Sequence, residues 1–366
     1  MSTVLVDSET LMAIAMHMLQ ARGASEDAAR AVAEHLVESN LAGVDSHGIV
    51  RLPQYLDLID RGAINPAARL ETVHDTGALL TLDGHQALGP AAGAEGVRIV
   101  TERARQYGIA ALVLRHSGHA GRLGAYTERM AHADLIALAF CNSPAYGHFV
   151  APPGGREGRL ATNPISYAFP TDAGPMVADF STSSMAEGVL RLLRDRGLPA
   201  PPDTVIDAQG MPTTDPHALY ANPPGALLPL GGMRLGYKGF ALALLVEVLA
   251  GTLAGDAILD RTLVGNNLTL IGIDVQATAA AAQFHALADQ LVQYVRAAAP
   301  IAPDGTVLAP GDKERHTRAI RRQQGIPVDA FVWQEIVERA RQIGYTVPAH
   351  PVHDHAASSQ GIPRGQ

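Results

Sequence analysis

The sequence contains very little cysteine, and this scarcity bears on where the protein works. Its single cysteine, Cys141, cannot form an internal disulfide, so the fold does not depend on an oxidising compartment and we expect a cytoplasmic protein. The first residues lack a basic-then-apolar pattern, and the longest apolar stretch, 240–254, is interrupted by Glu247. Neither a signal peptide nor a membrane span is therefore predicted.

Net positive charge is absent as well. The 366 residues carry a formal net charge of -8, which leaves no basic field for nucleic-acid phosphates, so nucleic acid is not an expected partner. Hydrophobic residues make up 47% of the chain and charged residues 17%. This composition supports a large core, and the length favours two domains.

Lysine is the scarcest cation. Of the 28 Lys and Arg residues, only Lys238 and Lys313 are lysines. A lysine kept against this bias is a candidate for a role that needs a compact ammonium, although two lysines also persist by chance.

The hydrophobic pattern divides the chain into units. Helical spacing dominates residues 1–75, short β-rich runs alternate with helices through 76–309, and further helical spacing follows in 310–345. Residues 346–366 lack periodicity and are predicted to form a mobile tail. The pattern predicts an α/β fold.

The nucleotide-binding loops of common folds are missing. A dinucleotide fingerprint G-x-G-x-x-G is not found, because Gly118, Gly121 and Gly124 have a different spacing. The glycine-rich stretch 229–240 is not a Walker loop either, but it leads into an apolar helix and contains Lys238. A lysine in a first helical turn is favourable only beside an anion, so Lys238 is either a phosphate or carboxylate ligand or a solvated surface residue.

Two clusters carry candidate acid/base and anion-binding groups. His47, Arg51 and Tyr55 recur every four residues and would share one face of a helix, where they are either a pocket for a substrate acid or an exposed surface. His119 lies in a loop between a predicted strand and a helix, where it is either a proton-transfer group or a solvent-exposed ring. The spacing of His116 and His119 also fits metal ligands, completed by His148 or an acid.

Taken together, five ordered motifs resemble the malate/L-lactate dehydrogenase family, which includes ureidoglycolate and sulfolactate dehydrogenases and cyclic imino-acid reductases. The motifs are Asp45-Ser-His47-Gly-x-x-Arg51-x-x-x-Tyr55, Ser117-Gly-His119, Thr162-Asn-Pro164, Asp179-x-x-Thr-Ser183 and Gly236-Tyr-Lys238-Gly. The likeness extends to about residue 345.

The resemblance implies a non-Rossmann mixed sheet flanked by helices, with a helical domain formed by both chain ends. It also implies a homodimer that binds NAD or NADP in a cleft completed between domains or subunits. His119 would be the proton acceptor, with His47 a rival acid/base, and Arg51 and Tyr55 would bind the substrate. The expected cofactor contacts are Ser143, Asp179, Phe180, Ser181 and Lys238, and no resident metal is expected.

The function predicted on this basis is NAD(P)-dependent interconversion of a 2-hydroxy acid and a 2-oxo acid. Reduction of a cyclic imine carboxylate is the alternative within the same family. A metal-dependent hydrolase or lyase using His116, His119 and His148, and a non-catalytic helical interaction protein, are remoter alternatives.

Overall fold

The computed structural model describes residues 2–255 and 265–347. Its α-helices are α1 (Ser8–Gln20), α2 (Glu26–Leu41), α3 (Arg51–Asp60), α4 (Gly89–Tyr107), α5 (Gly124–His132), α6 (Glu187–Asp195), α7 (Gly232–Val246), α8 (Phe284–Arg296), α9 (Asp312–Gln324) and α10 (Ala330–Gln342). Its strands are β1 (Thr3–Val6), β2 (Glu71–Asp75), β3 (Leu79–Ala87), β4 (Ile109–Ser117), β5 (Leu135–Asn142), β6 (Ile165–Phe169), β7 (Met176–Phe180), β8 (Val205–Ile206), β9 (Pro212–Thr213), β10 (Ala226–Leu227), β11 (Asn266–Asp274) and β12 (Ile326–Asp329).

The centre of the fold is a seven-stranded sheet in the order β2-β3-β4-β11-β5-β6-β7. Among the described strands of this sheet, only β3 and β4 pair in parallel. Strand β11 lies antiparallel between β4 and β5, with Leu270 opposite both Leu112 and Ala139. Helices α4 and α5 pack on this sheet and bury apolar residues such as Val100 and Met130. The mixed pairing confirms the prediction of a non-Rossmann sheet flanked by helices.

The two ends of the chain meet in one helical domain, as predicted. Strand β1 pairs antiparallel with β12, so that Val6 lies opposite Ile326, and both side chains are buried in one core with residues of α1, α2, α3 and α10. Ser25 caps α2, because its hydroxyl accepts the backbone N–H of Ala28 at 3.2 Å.

Several segments differ from the sequence pattern. The sequence has helical spacing through 310–345, but Ile326–Asp329 forms strand β12. Helix α10 begins only at Ala330, where the carboxylate of Asp329 caps it through the N–H of Phe331. Strand β2 lies at the end of the segment 1–75, where helical spacing dominates the sequence, but it forms an edge of the central sheet. The division into 1–75, 76–309 and 310–345 stays a prediction, and the predicted tail beyond Val347 lies outside the described residues.

Helix α7 is apolar and incompletely covered. With its continuation it spans Gly232–Ala254, the one described segment that is long and apolar enough for a membrane span, as the core helices of soluble proteins also are. It continues as a π-helix at Glu247–Gly251, and the buried Glu247 carboxylate accepts hydrogen bonds from the side-chain amides of Asn142 and Asn163. These bonds fasten α7 to the sheet.

Candidate active site

His119 lies just beyond β4, in a loop held from several sides. The backbone N–H of Gly118 donates to the carbonyl of Ala87 at 2.8 Å, and that of Ala120 donates to Oδ1 of Asn266 at 2.9 Å. The backbone N–H of Arg122 donates to Nε2 of the buried His35 at 2.8 Å. The sheet and α2 therefore fix the position of His119 together.

Two aromatic side chains from the N-terminal segment contact His119. The phenol oxygen of Tyr55 lies 2.8 Å from Nδ1 of His119, and Tyr55 is fully buried. The His47 ring stacks on His119 with 5.5 Å between the ring centroids, and its Nδ1 is 3.0 Å from the Ser46 hydroxyl. The structure thus brings together residues that are far apart in the sequence.

Both histidines are kept neutral by their surroundings. Burial lowers the pKa of His119 well below its ordinary value, and the positive charge of Arg51 lowers it further. Burial, with Arg51 and Arg122, lowers the pKa of His47 to about 3. A neutral imidazole has a lone pair that can accept a proton from a substrate hydroxyl.

The guanidinium of Arg51 is oriented by two hydrogen bonds. Its Nε donates to the carbonyl of Ser46 at 2.7 Å and its Nη1 donates to Gln54 at 2.8 Å. Within the described ranges, no carboxylate forms an ion pair with this guanidinium. A partly buried cation without an acidic partner is suited to a substrate carboxylate.

The prediction that His47, Arg51 and Tyr55 share one helical face is wrong in its geometry. His47 ends a 3₁₀ turn, Asp45–His47, and α3 begins only at Arg51. Gly48 lies between them against Asn40, and a Cβ at Gly48 would approach the Asn40 amide oxygen to 2.2 Å. The side chains nevertheless converge, because the turn brings the His47 ring against His119.

A cavity of about 690 Å³ opens beside this cluster. His47 lines it, and so do Asp179, Phe180 and Ser181, three of the predicted cofactor contacts. Asp179 is held by its Oδ2 atom, which accepts the backbone N–H of Gly124 at 2.7 Å. The volume and the mixed polar and apolar lining are suited to a large organic ligand.

Ser143 and Lys238, the other two predicted cofactor contacts, have different positions. The Ser143 hydroxyl accepts a hydrogen bond of 2.7 Å from Nδ2 of Asn266, the residue that also holds the His119 loop. Lys238 is exposed in the second turn of α7, since the helix already begins at Gly232, and it is not part of the cavity lining. The expectation that Lys238 occupies a first turn after a flexible anion-binding loop is therefore wrong.

Sequence reasoning missed further residues at the site. Arg122 and Lys313 line the cavity, His35 and Asn266 hold the His119 loop, and Glu247 joins Asn142 to Asn163. The scarcity of lysine was a signal for Lys313, whereas His35 has no sequence signal because its partner is 87 residues away.

The alternative of a metal set built on His116 and His119 does not agree with the geometry. Nδ1 of His116 lies 3.0 Å from the carboxylate of Asp83, whereas Nδ1 of His119 faces Tyr55. The two rings therefore have different partners.

Comparisons with known proteins identify the class. The chain is 37% identical over 352 residues to hydroxycarboxylate dehydrogenase B of Escherichia coli K12, with 92% of this chain and 94% of that protein covered. It is 35% identical over 254 residues to delta(1)-pyrroline-2-carboxylate reductase 2 of Burkholderia multivorans, covering 69% and 72%. The crystal structure of malate dehydrogenase from Entamoeba histolytica matches with a TM-score of 0.90 and 26% identity, covering 95% and 100%.

These similarities define an oxidoreductase. The sequence profile of the malate/L-lactate dehydrogenase family matches residues 6–337, and the chain belongs to that family. The resemblance seen in the five motifs is confirmed, and the hydrolase and non-catalytic alternatives are wrong.

Proposed function

We propose that the protein interconverts a 2-hydroxy acid and a 2-oxo acid with NAD or NADP as cofactor. The observation that carries the proposal is the stacked pair of neutral imidazoles, His47 and His119, beside a cavity of about 690 Å³. The charge of Arg51, which has no acidic partner among the described residues, acts on both rings. The names of the relatives agree with a substrate of this class.

In this proposal each group has one task. Arg51 holds the substrate carboxylate, and His119 accepts the proton of the substrate hydroxyl on Nε2 or returns it to the carbonyl oxygen. A bound nicotinamide supplies the hydride acceptor or donor. The protein contributes mainly the alignment of these partners at roughly 3 to 3.5 Å.

Tyr55 has an orienting role, because it is buried behind His119. If Nδ1–H of His119 donates to the phenol oxygen, Nε2 keeps its lone pair free for the substrate in the oxidation direction. Burial raises the pKa of Tyr55, so the phenol stays neutral. The same bond is compatible with the imidazolium that donates a proton in the reduction direction.

Substrate binding then adjusts the base. The Arg51 charge is one reason for the low pKa of His119, and a carboxylate bound to Arg51 neutralises that charge. The pKa of His119 rises when the acid binds, which favours proton uptake only in the loaded site.

The residues around the cavity fit a dinucleotide. Asp179 offers a carboxylate for ribose hydroxyls, Phe180 offers an apolar surface, and Ser181 a hydroxyl. Arg122 is 5% exposed on the cavity wall, with Nε and Nη1 free of hydrogen bonds within the described structure. Ser143 is included in the proposed set because its hydroxyl is hydrogen-bonded to Asn266, the residue that also holds the His119 loop.

The proposal includes a homodimer in the cytoplasm. The unit 232–253 exposes eight large apolar side chains, a surface suited to a second copy. They are Met233, Leu235, Tyr237, Leu242, Leu244, Leu245, Val248 and Leu253. Lys238 lies on this helix, so in the dimer it would contact the cofactor bound by the other subunit. The buried, unpaired Cys141 is compatible with a cytoplasmic protein.

A nicotinamide fluorescence titration followed by a panel of 2-oxo acids tests the proposal. We expect saturable binding of NADH or NADPH and turnover of at least one 2-oxo acid. His119→Ala should abolish turnover and leave cofactor binding nearly intact, whereas His74→Ala, on the exposed strand β2, is the matched control. An unchanged rate in His119→Ala would contradict the assignment.

Reduction of a cyclic imine carboxylate is the second candidate, favoured by the similarity to the Burkholderia reductase. The stacked His47 would then be the acid/base for the imine nitrogen. Activity with pyrroline- or piperideine-2-carboxylate that exceeds activity with every 2-oxo acid, and that His47→Asn removes, would favour this candidate.

A further inference from the structure

The carboxylate of Glu247 is buried without a cationic partner. Glu247 is 3% exposed, and within the described parts of the chain no lysine, arginine or histidine forms an ion pair with it. It is the first residue of the π-helical turn Glu247–Gly251, and such turns are frequent at functional sites. Because burying a charge without a cation costs free energy, the presence of Glu247 here indicates a task beyond stability.

This carboxylate gives two asparagine amides a single orientation. Its Oε1 accepts a hydrogen bond of 2.8 Å from Nδ2 of Asn142, and its Oε2 accepts one of 2.8 Å from Nδ2 of Asn163. A carboxylate only accepts hydrogen bonds, whereas an amide has a donor end and an acceptor end. Both amides therefore turn their Nδ2 ends to Glu247, and their Oδ1 atoms are buried without a partner among the described residues.

The hydrogen bonds continue from Asn142 to the loop of His119. Asn142 ends β5, and its backbone carbonyl accepts Nδ2 of Asn266 at 2.8 Å. The same Nδ2 donates to Ser143, and Oδ1 of Asn266 accepts the backbone N–H of Ala120 at 2.9 Å. Since Ala120 follows His119 in the chain, three successive hydrogen bonds join the buried carboxylate to the loop that carries the proposed base.

We propose that Glu247 is a positioning residue for the reaction: its carboxylate fixes Asn142 and, through Asn266, the place of His119. This role rests on the proposed function, in which His119 moves the substrate proton. The competing interpretation is a structural one, in which Glu247 only fastens α7 to the sheet. The two differ in whether the loss of the carboxylate changes kcat in protein that remains folded.

Steady-state kinetics with a 2-oxo acid and the reduced dinucleotide that the unaltered chain uses test the proposal, at a temperature well below each melting midpoint. Glu247→Met removes both acceptors and keeps an unbranched side chain. Glu247→Gln is the conservative variant, because it can still bond both amides once one of them turns over. Thr269→Val is the matched control. It removes the buried 2.7 Å hydrogen bond from the Thr269 hydroxyl to the carbonyl of Leu249, which also fastens the π-helical turn to the sheet.

We expect kcat to fall about tenfold to a hundredfold in Glu247→Met with little change in KM, since the substrate still binds but His119 is misplaced. Glu247→Gln should recover most of this loss, with kcat about threefold to tenfold below that of the unaltered chain. Thr269→Val should lower the melting temperature and leave kcat nearly unchanged.

A lower melting temperature with unchanged kcat in Glu247→Met would limit Glu247 to a structural role, and the proposed function would stand. Equal losses of kcat in Glu247→Met and Thr269→Val would also contradict the positioning role. If Glu247→Met does not fold, Glu247→Gln decides, because kcat equal to that of the unaltered chain contradicts the proposal. An unaltered chain that reduces neither a 2-oxo acid nor a cyclic imine would overturn the proposed function, and the positioning role with it.

Discussion

Nε2 of His35 accepts the backbone N–H of Arg122 at 2.8 Å, so a buried side chain of α2 holds the loop that carries His119. A helix of the N-terminal segment therefore determines where the candidate base of the α/β sheet lies. This contact requires a neutral His35, and burial with the charges of Arg122 and Arg129 lowers its pKa well below the ordinary value.

Replacing His35 should affect both stability and turnover. His35→Leu leaves the N–H of Arg122 buried without an acceptor, so we expect the free energy of unfolding to fall by about 1 to 3 kcal/mol. Urea denaturation measures this loss, and kcat should also fall because the His119 loop loses one support. A variant with lower stability and unchanged kcat would limit His35 to a structural role.

Acid should destabilise the protein through its histidines. His35, His47 and His119 have folded-state pKa values below the ordinary value of 6.5, so between these values the unfolded chain binds more protons than the folded one. The free energy of unfolding is thus unaffected by these groups above pH 6.5 and falls as pH drops below it. In His47→Asn, the decline between pH 6 and pH 4 should be shallower by roughly 1 kcal/mol per pH unit. Equal slopes in urea titrations of both proteins would contradict the low pKa of His47.

Tyr55→Phe separates orientation from substrate binding. The variant removes the phenol oxygen 2.8 Å from Nδ1 of His119 and keeps the buried ring. We expect kcat to fall about tenfold to a hundredfold with little change in KM, since the effect lies in proton transfer. A raised KM with unchanged kcat would instead mean that Tyr55 contacts the substrate, as the sequence predicted.

Arg51→Gln should change both affinity and pH dependence. Losing a charged contact to a carboxylate raises KM about tenfold to a hundredfold. Removing the positive charge also raises the pKa of His47 and His119, so the acid limb of kcat/KM moves to higher pH. Arg51→Lys keeps the charge and is the matched control, so its acid limb should stay near that of the unaltered enzyme.

The sequence predicted those parts of the molecule that local patterns specify. Short β-rich runs alternating with helices predicted the α/β part of the chain at 76–309, and strands such as β6 and β7 lie there. The pairings of His35 with Arg122 and of Ala120 with Asn266 were not, because residues 87 and 146 positions apart leave no periodic trace. Lys238 lies in the second turn of α7, whereas Lys313 lies in the first turn of α9. The sequence did not show this difference, because the glycine-rich segment 229–240 hides where α7 begins.

The antiparallel pairing of β1 with β12 has a consequence for synthesis on the ribosome. Val6 pairs with Ile326 only after β12 has emerged, so helix α3, which carries Arg51 and Tyr55, has an incomplete core until then. Catalytic competence should therefore arise late in translation, after the central sheet has formed, and nascent chains halted before Ile326 should be inactive and prone to chaperone capture.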